Sequence, residues 1–265
     1  MAAYDAAVMP TVSDIATALA ARTHPDQTPE WDPVGLQLGD PETAVDSVAV
    51  CHEVTEEVVA RLEEDPVDLL VTYHPLLFAP TNRILAGRSP GARSYRLITA
   101  GVSLLVTHTD FDASPGGTAD ALADFFDLRN VQAFGGDPDA SPRPIGRYGS
   151  FQSTLGTIDA MVSDRFGLSG LRVSGNQETA IETLAVVPGS GGSFVEAAAE
   201  VAQALVTGDV SHHRTVAALD LGLAIVDPGH VATERPGMAA LVSLVGEVSG
   251  LETFDLTELD PQTWD

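Results

Sequence analysis

Asp68-Leu69-Leu70-Val71-Thr72-Tyr73-His74-Pro75 runs from a short apolar segment straight into polar, ligand-type side chains. Asp68–Thr72 is too short for a helix and too apolar for a loop, so it reads as a buried strand. Ser47–Cys51 (SVAVC) before it and Val102–Thr107 (VSLLVT) after it have the same character. Helical patterns lie between and beyond these runs. Thr55–Glu64 reads as a helix with Thr55 as N-cap and Glu56 and Glu57 in the electropositive first turn. Ala92–Ala100 reads as a second, stopped by Gly101. Pro115–Phe126 reads as a third, with Pro115 near its start and Ala119, Leu122, Phe125 and Phe126 on one face.

The second half repeats the plan. Ile181–Val187, Gln203–Thr207 and Leu223–Val226 read as strands, and Ser193–Val201, Ser211–Leu219 and Arg235–Val248 as helices. Strand–helix alternation of this kind gives an α/β fold with mainly parallel sheets covered on both faces. The Pro- and Gly-rich stretch Gly135–Arg147 (GGDPDASPRPIGR) reads as a linker or surface loop. The expected division is therefore a first α/β lobe over 1–134, a linker over 135–147 and a second lobe over 148–265. A faint repeat supports the plan: Leu70-Val71-Thr72, Leu105-Val106-Thr107 and Leu205-Val206-Thr207 each close a strand and lead into polar residues.

Composition narrows the class of protein. Of 265 residues, 44% are hydrophobic, which places the chain among globular proteins. No apolar run approaches the roughly 20 residues that span a bilayer. Met1–Met9 lacks the basic start of a signal peptide and carries Asp5. Cys51 has no second cysteine to pair with, which fits a reducing, cytoplasmic interior. The formal charge is −25, from 38 acidic against 13 basic residues, and every basic residue is Arg. Such a balance suits a cationic partner or, as the even scatter of carboxylates favours, a very salty cytoplasm such as a halophile's. There the screening length shrinks to about 3 Å at 1 M salt, so self-repulsion is weak. The same charge argues against binding a nucleic-acid backbone.

In open parallel sheets ligands sit beyond the carboxyl ends of the strands. Six of the seven histidines lie at or just after such ends, His24 being the exception. His230-x-x-x-Glu234 has the four-residue spacing that stacks an imidazole and a carboxylate on one helix face. That pair can grip one divalent ion, or it can be a helix-start histidine with an acid complementing the dipole. Taken with His74 and Asp112 at neighbouring strand ends, it forms a plausible metal set. Mixed nitrogen and oxygen ligands admit Fe, Mn, Zn, Co or Ni. Gly189-Ser190-Gly191-Gly192-Ser193 is either a tight turn or a loop whose N–H groups hold an anion. It lacks the Lys of a Walker A loop. Cys51 and His52 are a poor nucleophile pair, since adjacent strand residues point to opposite faces.

Six motifs in order give a wider resemblance. They are Trp31-Asp32-x-Val34-Gly35-Leu36-Gln37-x-Gly39, Tyr73-His74-Pro75-Leu76-Leu77-Phe78 and His108-Thr109-x-Phe111-Asp112-x-x-Pro115-Gly116-Gly117, followed by Gly189–Ser193, Thr207-Gly208-Asp209-x-x-His212-His213 and Gly229-His230-x-Ala232-Thr233-Glu234. From Trp31 onward the chain resembles the YbgI-like dinuclear metal-centre family, often labelled GTP cyclohydrolase I type-two homolog. The resemblance implies two similar α/β lobes facing across a cleft that holds the metals, and a homohexameric ring. It implies His74, Asp112, His230 and Glu234 as ligands, with Glu234 bridging two ions. The family usually carries His-His-Pro where this chain has Tyr73-His74-Pro75. Tyr73 thus stands in a ligand's place, and a phenol, with a reference pKa near 10, ligates only as a metal-stabilised phenolate. The expectation is one or two divalent ions per subunit, one site well occupied and the other weak or altered, with His108 able to move in. The activity implied is a metal-dependent hydrolase acting on a small molecule of a class that includes nucleotides and other phosphate compounds; the alternative is a non-enzymatic, hexameric metal-binding or interaction protein.

Overall fold

Each of the three apolar runs of the first half is a fully buried strand in the computed structural model, which describes residues 9–87, 91–136, 143–168 and 170–259. In chain order the elements of the first half are α1 (Val12–Thr23), β1 (Gly35–Leu38), β2 (Val48–Cys51), α2 (Glu56–Glu64), β3 (Leu69–Thr72), α3 (Ala92–Thr99), β4 (Ser103–Val106), α4 (Thr109–Ala113) and α5 (Thr118–Phe125). Those of the second half are β5 (Arg129–Phe134), β6 (Gly146–Thr154), α6 (Leu155–Phe166), β7 (Arg172–Ser174), β8 (Ala180–Ser190), α7 (Val195–Ala199), β9 (Ala204–Gly208), α8 (His212–Asp220), β10 (Ala224–Asp227), α9 (His230–Ser249) and β11 (Thr253–Asp255). Among the described residues no helix is long and apolar enough to cross a membrane.

The chain divides into two α/β units. Unit 1 takes Met1–Asp26, Glu30–His108 and Leu241–Pro261. Its sheet runs β1-β4-β3-β2-β11, parallel except where β1 meets β4. The central strands are covered on both faces, which is why they read as unbroken apolar runs rather than alternating ones. Thr55 caps α2 as expected, its side chain accepting from Val58 N–H at 3.1 Å. A cap of this kind contributes about 1 kcal/mol. It aims the amphipathic face of α2, with Val58, Val59 and Leu62, into the core beside Leu70 and Leu97.

Unit 2 is built mainly from Thr109–Ala240. Its sheet runs β5-β6-β8-β9-β10-β7. The expected α/β lobe is present, with parallel pairing at its centre, β8 to β9 to β10. Antiparallel strands flank that centre on both sides, so this sheet is mixed rather than mainly parallel. Leu122, Phe126, Leu155 and Ile158 pack against it from α5 and α6.

The division differs from the expected one at both ends. The boundary falls between His108 and Thr109, not at 134, because β5 and β6 pair with each other inside unit 2. The stretch read as a linker, 135–147, therefore connects two strands of one sheet; its residues 137–142 lie outside the described residues. At the other end α9 runs from unit 2 into unit 1, where β11 extends the sheet beside β2. The helical pattern of Arg235–Val248 extends five residues further towards the N-terminus, so that α9 begins at His230, as the His230–Glu234 spacing requires, and accommodates Pro236 in its second turn.

Candidate metal centre

Thr72 and Val106 end their strands in unit 1, and the residues that follow carry the ligand-type side chains. Past the ends of β2 and β3 the two chain segments stay joined, with Tyr73 N–H donating to Cys51 O at 3.1 Å and His74 N–H to His52 O at 2.9 Å. This gathers His52, Tyr73, His74 and, after β4, His108. The His52 and Tyr73 rings are stacked 5.5 Å apart at 14°. The His74 ring lies 4.8 Å from His52, 5.0 Å from Tyr73 and 5.2 Å from His108. Tyr73 is fully buried and His52 nearly so. Asp32, from the Trp31-Asp32 motif, is buried and its Oδ1 lies 3.0 Å from His108 Nδ1. Burial pushes the Cys51 thiol up to about 12, against the weaker pull of a Thr72 hydrogen bond, so no thiolate nucleophile forms.

In unit 2 the first turn of α9 presents the spacing read from the sequence. His230 Nε2 lies 3.0 Å from Glu234 Oε1, four residues on. His230 Nδ1 lies 2.9 Å from Asp209 Oδ2. Asp209 reaches it from just beyond β9, with a left-handed backbone at φ 56. Glu234 is almost fully buried. Thr233, between them, donates to His230 O at 2.7 Å and accepts from Gly189 N–H at 2.8 Å, tying the end of β8 to the start of α9. Gly189 has φ +63, and a Cβ there would lie 2.6 Å from Glu234 Oε1 and 3.2 Å from His230 Nε2. Only glycine leaves the pair its room.

The same contacts decide how the glycine loop is used. Gly189 spends its N–H on Thr233, Gly191 is pressed against Thr207, and the helix that follows, α7, has five residues. Of the two readings, the tight turn fits these contacts. His212 and His213 stand exposed at the start of α8. Asp112 is buried on α4.

Of the residues singled out from sequence, the structure thus brings His230 and Glu234 together in unit 2. It sets His74, Tyr73 and His108 together in unit 1 and places Asp112 in unit 2. His52, Asp32 and Asp209 join these clusters without having been singled out as site residues. In both units a carboxylate sits on Nδ1 of one histidine, Asp32 on His108 and Asp209 on His230, the arrangement that fixes tautomer and ring direction in metal-binding histidines. Burial, the largest single influence on His230, draws its pKa down. The hydrogen bonds and charges of Glu234 and then Asp209 outweigh it and lift the imidazole to about 9.

The model for Duf34/NIF3 (NGG1p interacting factor 3) matches residues 10–260. The chain is 32% identical over 272 residues to a GTP cyclohydrolase 1 type 2 homolog of Streptomyces coelicolor, covering 96% of this chain and 94% of that one. Among solved structures it resembles Staphylococcus aureus protein SA1388, with a TM-score of 0.87, 19% identity and coverage of 98% and 100%. It also resembles the protein ybgI, with a TM-score of 0.77, 20% identity and coverage of 95% and 100%. With the family model matched over residues 10–260 and a relative 32% identical across 96% of the chain, the chain belongs to the Duf34/NIF3 family.

Proposed function

We propose that this protein binds one or two divalent ions through His74, Asp112, His230 and Glu234 and hydrolyses a small molecule with them. What carries the reading is that each unit gathers donors of its own: His230 Nε2 and Glu234 Oε1 stand 3.0 Å apart in unit 2, and the His74 ring lies 4.8 Å from His52 and 5.2 Å from His108 in unit 1. The donors are imidazole nitrogens and a carboxylate oxygen, the mixture that borderline divalent ions take. When bound, such an ion polarises an electrophile and lowers the pKa of its water. The chain's own part is to hold the donors still. Thr233 and Gly189 fix the first turn of α9, and Asp209 and Asp32 orient His230 and His108.

The reading is tested by screening metal-loaded protein at high salt against phosphate esters, nucleotides and other hydrolysable small molecules, beside Glu234→Ala. Turnover by the parent and none by the variant supports it. Turnover untouched by the substitution removes it, and bound metal with no turnover leaves a non-catalytic metal protein.

Metal uptake should also be pH-dependent. With its pKa raised to about 9, His230 carries a proton at neutral pH, and its pairing with Glu234 and Asp209 stabilises the metal-free fold. Because the folded value lies above the unfolded one of about 6.5, that stabilisation is complete below about pH 6.5 and is lost as pH rises through about 9. An ion that ligates His230 must displace this proton. Apparent affinity is therefore expected to rise by up to about tenfold per pH unit between about pH 7 and 9. Calorimetry in buffers of differing ionisation enthalpy reads the released proton, and titrations at pH 7.5 that release none contradict the assignment.

The ring-shaped homohexamer implied by the resemblance belongs to the same reading. Trp31 and Phe78 of unit 1 are exposed at 57% and 55% with their rings 6.1 Å apart, an aromatic pair that a second copy would cover. Light scattering at high salt is expected to give a mass of six chains; a monomer mass would remove this part.

A further inference from the structure

In the parallel ladder of unit 1, Cys51 is the last register partner of Thr72, and His52 and Tyr73 are the residues that follow them. Their rings lie side by side, stacked 5.5 Å apart at 14°. An imidazole carried at position 52 thus stands one strand sideways from one carried at position 73, facing the same way. Its ring is also the nearest to His74, at 4.8 Å and edge-on. An imidazole offers a lone pair at neutral pH without first losing a proton, whereas a phenol does not.

We propose that His52 supplies the metal-binding imidazole that position 73 lacks, so that the unit 1 ligands are His52 and His74, with Tyr73 as the buried wall on which the His52 ring stacks. This rests on the metal reading above and changes one expectation: the site that Tyr73 would leave weak regains a nitrogen ligand from the neighbouring strand. Tyr73 then acts through packing, and its hydroxyl is dispensable for binding.

The test uses full-length, chelator-stripped protein titrated with Zn²⁺ and with Mn²⁺, with metal content after dialysis read by mass spectrometry. Outer-shell changes at metal sites already weaken binding roughly 10–100-fold, so His52→Asn is expected to weaken it at least tenfold. Tyr73→Phe is expected to bind as the parent does. The exchange variant His52→Tyr with Tyr73→His is expected to recover most of the affinity lost in His52→Asn. Circular dichroism establishes that each variant is folded, and if His52→Asn is not, the exchange variant and Tyr73→Phe still decide. Parent-like binding by His52→Asn overturns the proposal, as does loss of metal in Tyr73→Phe or an exchange variant that is folded but binds nothing. A parent protein that binds neither ion would instead overturn the metal reading itself.

Discussion

Glu234→Ala is expected to abolish tight binding of divalent metal and, with it, any metal-dependent turnover. Glu234 is almost fully buried, its Oε1 lies 3.0 Å from His230 Nε2, and the adjoining backbone at Gly189 carries no side chain that could take its place. Losing a direct carboxylate ligand should exceed the roughly 10–100-fold cost of altering a ligand's supporting partner. The substitution also removes the stronger of the two anions that raise His230, so its pKa should fall from about 9 towards the ordinary histidine value. Calorimetric titration with Zn²⁺ measures the first effect, and NMR titration of the His230 ring in metal-free protein measures the second. A variant that keeps the parent's affinity would show that the carboxylate is there for the helix start alone.

Gly208→Ala is expected to lower the stability of the fold by about 3 kcal/mol. Gly208 closes β9 between its neighbours β8 and β10, and a Cβ there would meet His230 N at 2.5 Å and Gly229 C at 2.6 Å. These are backbone atoms, so no rotamer change relieves the contact. Strand β9 would have to part from the β10–α9 turn that holds His230. Overpacking of a well-packed interior costs about 1–3 kcal/mol, and contact with backbone places this case at the upper end. For a protein of this size about 3 kcal/mol corresponds to a fall in Tm of roughly 6–12 °C. Thermal unfolding by circular dichroism at high salt measures it. A Tm equal to the parent's would mean that the turn yields freely and that Gly208 does not fix the start of α9.

The parts of the fold that were legible in the sequence are those with a local physical signature. Strands β2, β3 and β4 are buried on both faces and so spell unbroken apolar runs. Thr55 announces α2 because a cap is a local hydrogen bond. Strand β5 carries no such signal, since five of its six residues are exposed. Strand β11 has three residues, held in place by β2 some two hundred positions earlier in the chain. Yet these two strands help set the extents of the units, β5 pairing inside unit 2 and β11 inside unit 1.

The site divides in the same way. His230 and Glu234 are four apart on one helix, so their spacing alone predicts the contact. Asp32 meets His108 across 76 residues, and Asp209 meets His230 across 21 through a left-handed loop residue, contacts that no local pattern encodes. His52 was hidden for a different reason. Next to Cys51 it looks like half of an unpromising nucleophile pair, and only the folded unit sets its ring against those of Tyr73 and His74.

Anomalous scattering from a crystal of the Zn²⁺-loaded protein tests the central claim most directly. The account predicts bound metal at the imidazoles of His52 and His74 in unit 1 and at the carboxylate of Glu234 in unit 2. An ion bound elsewhere, or coordinated by the Tyr73 oxygen with His52 turned away, would contradict it.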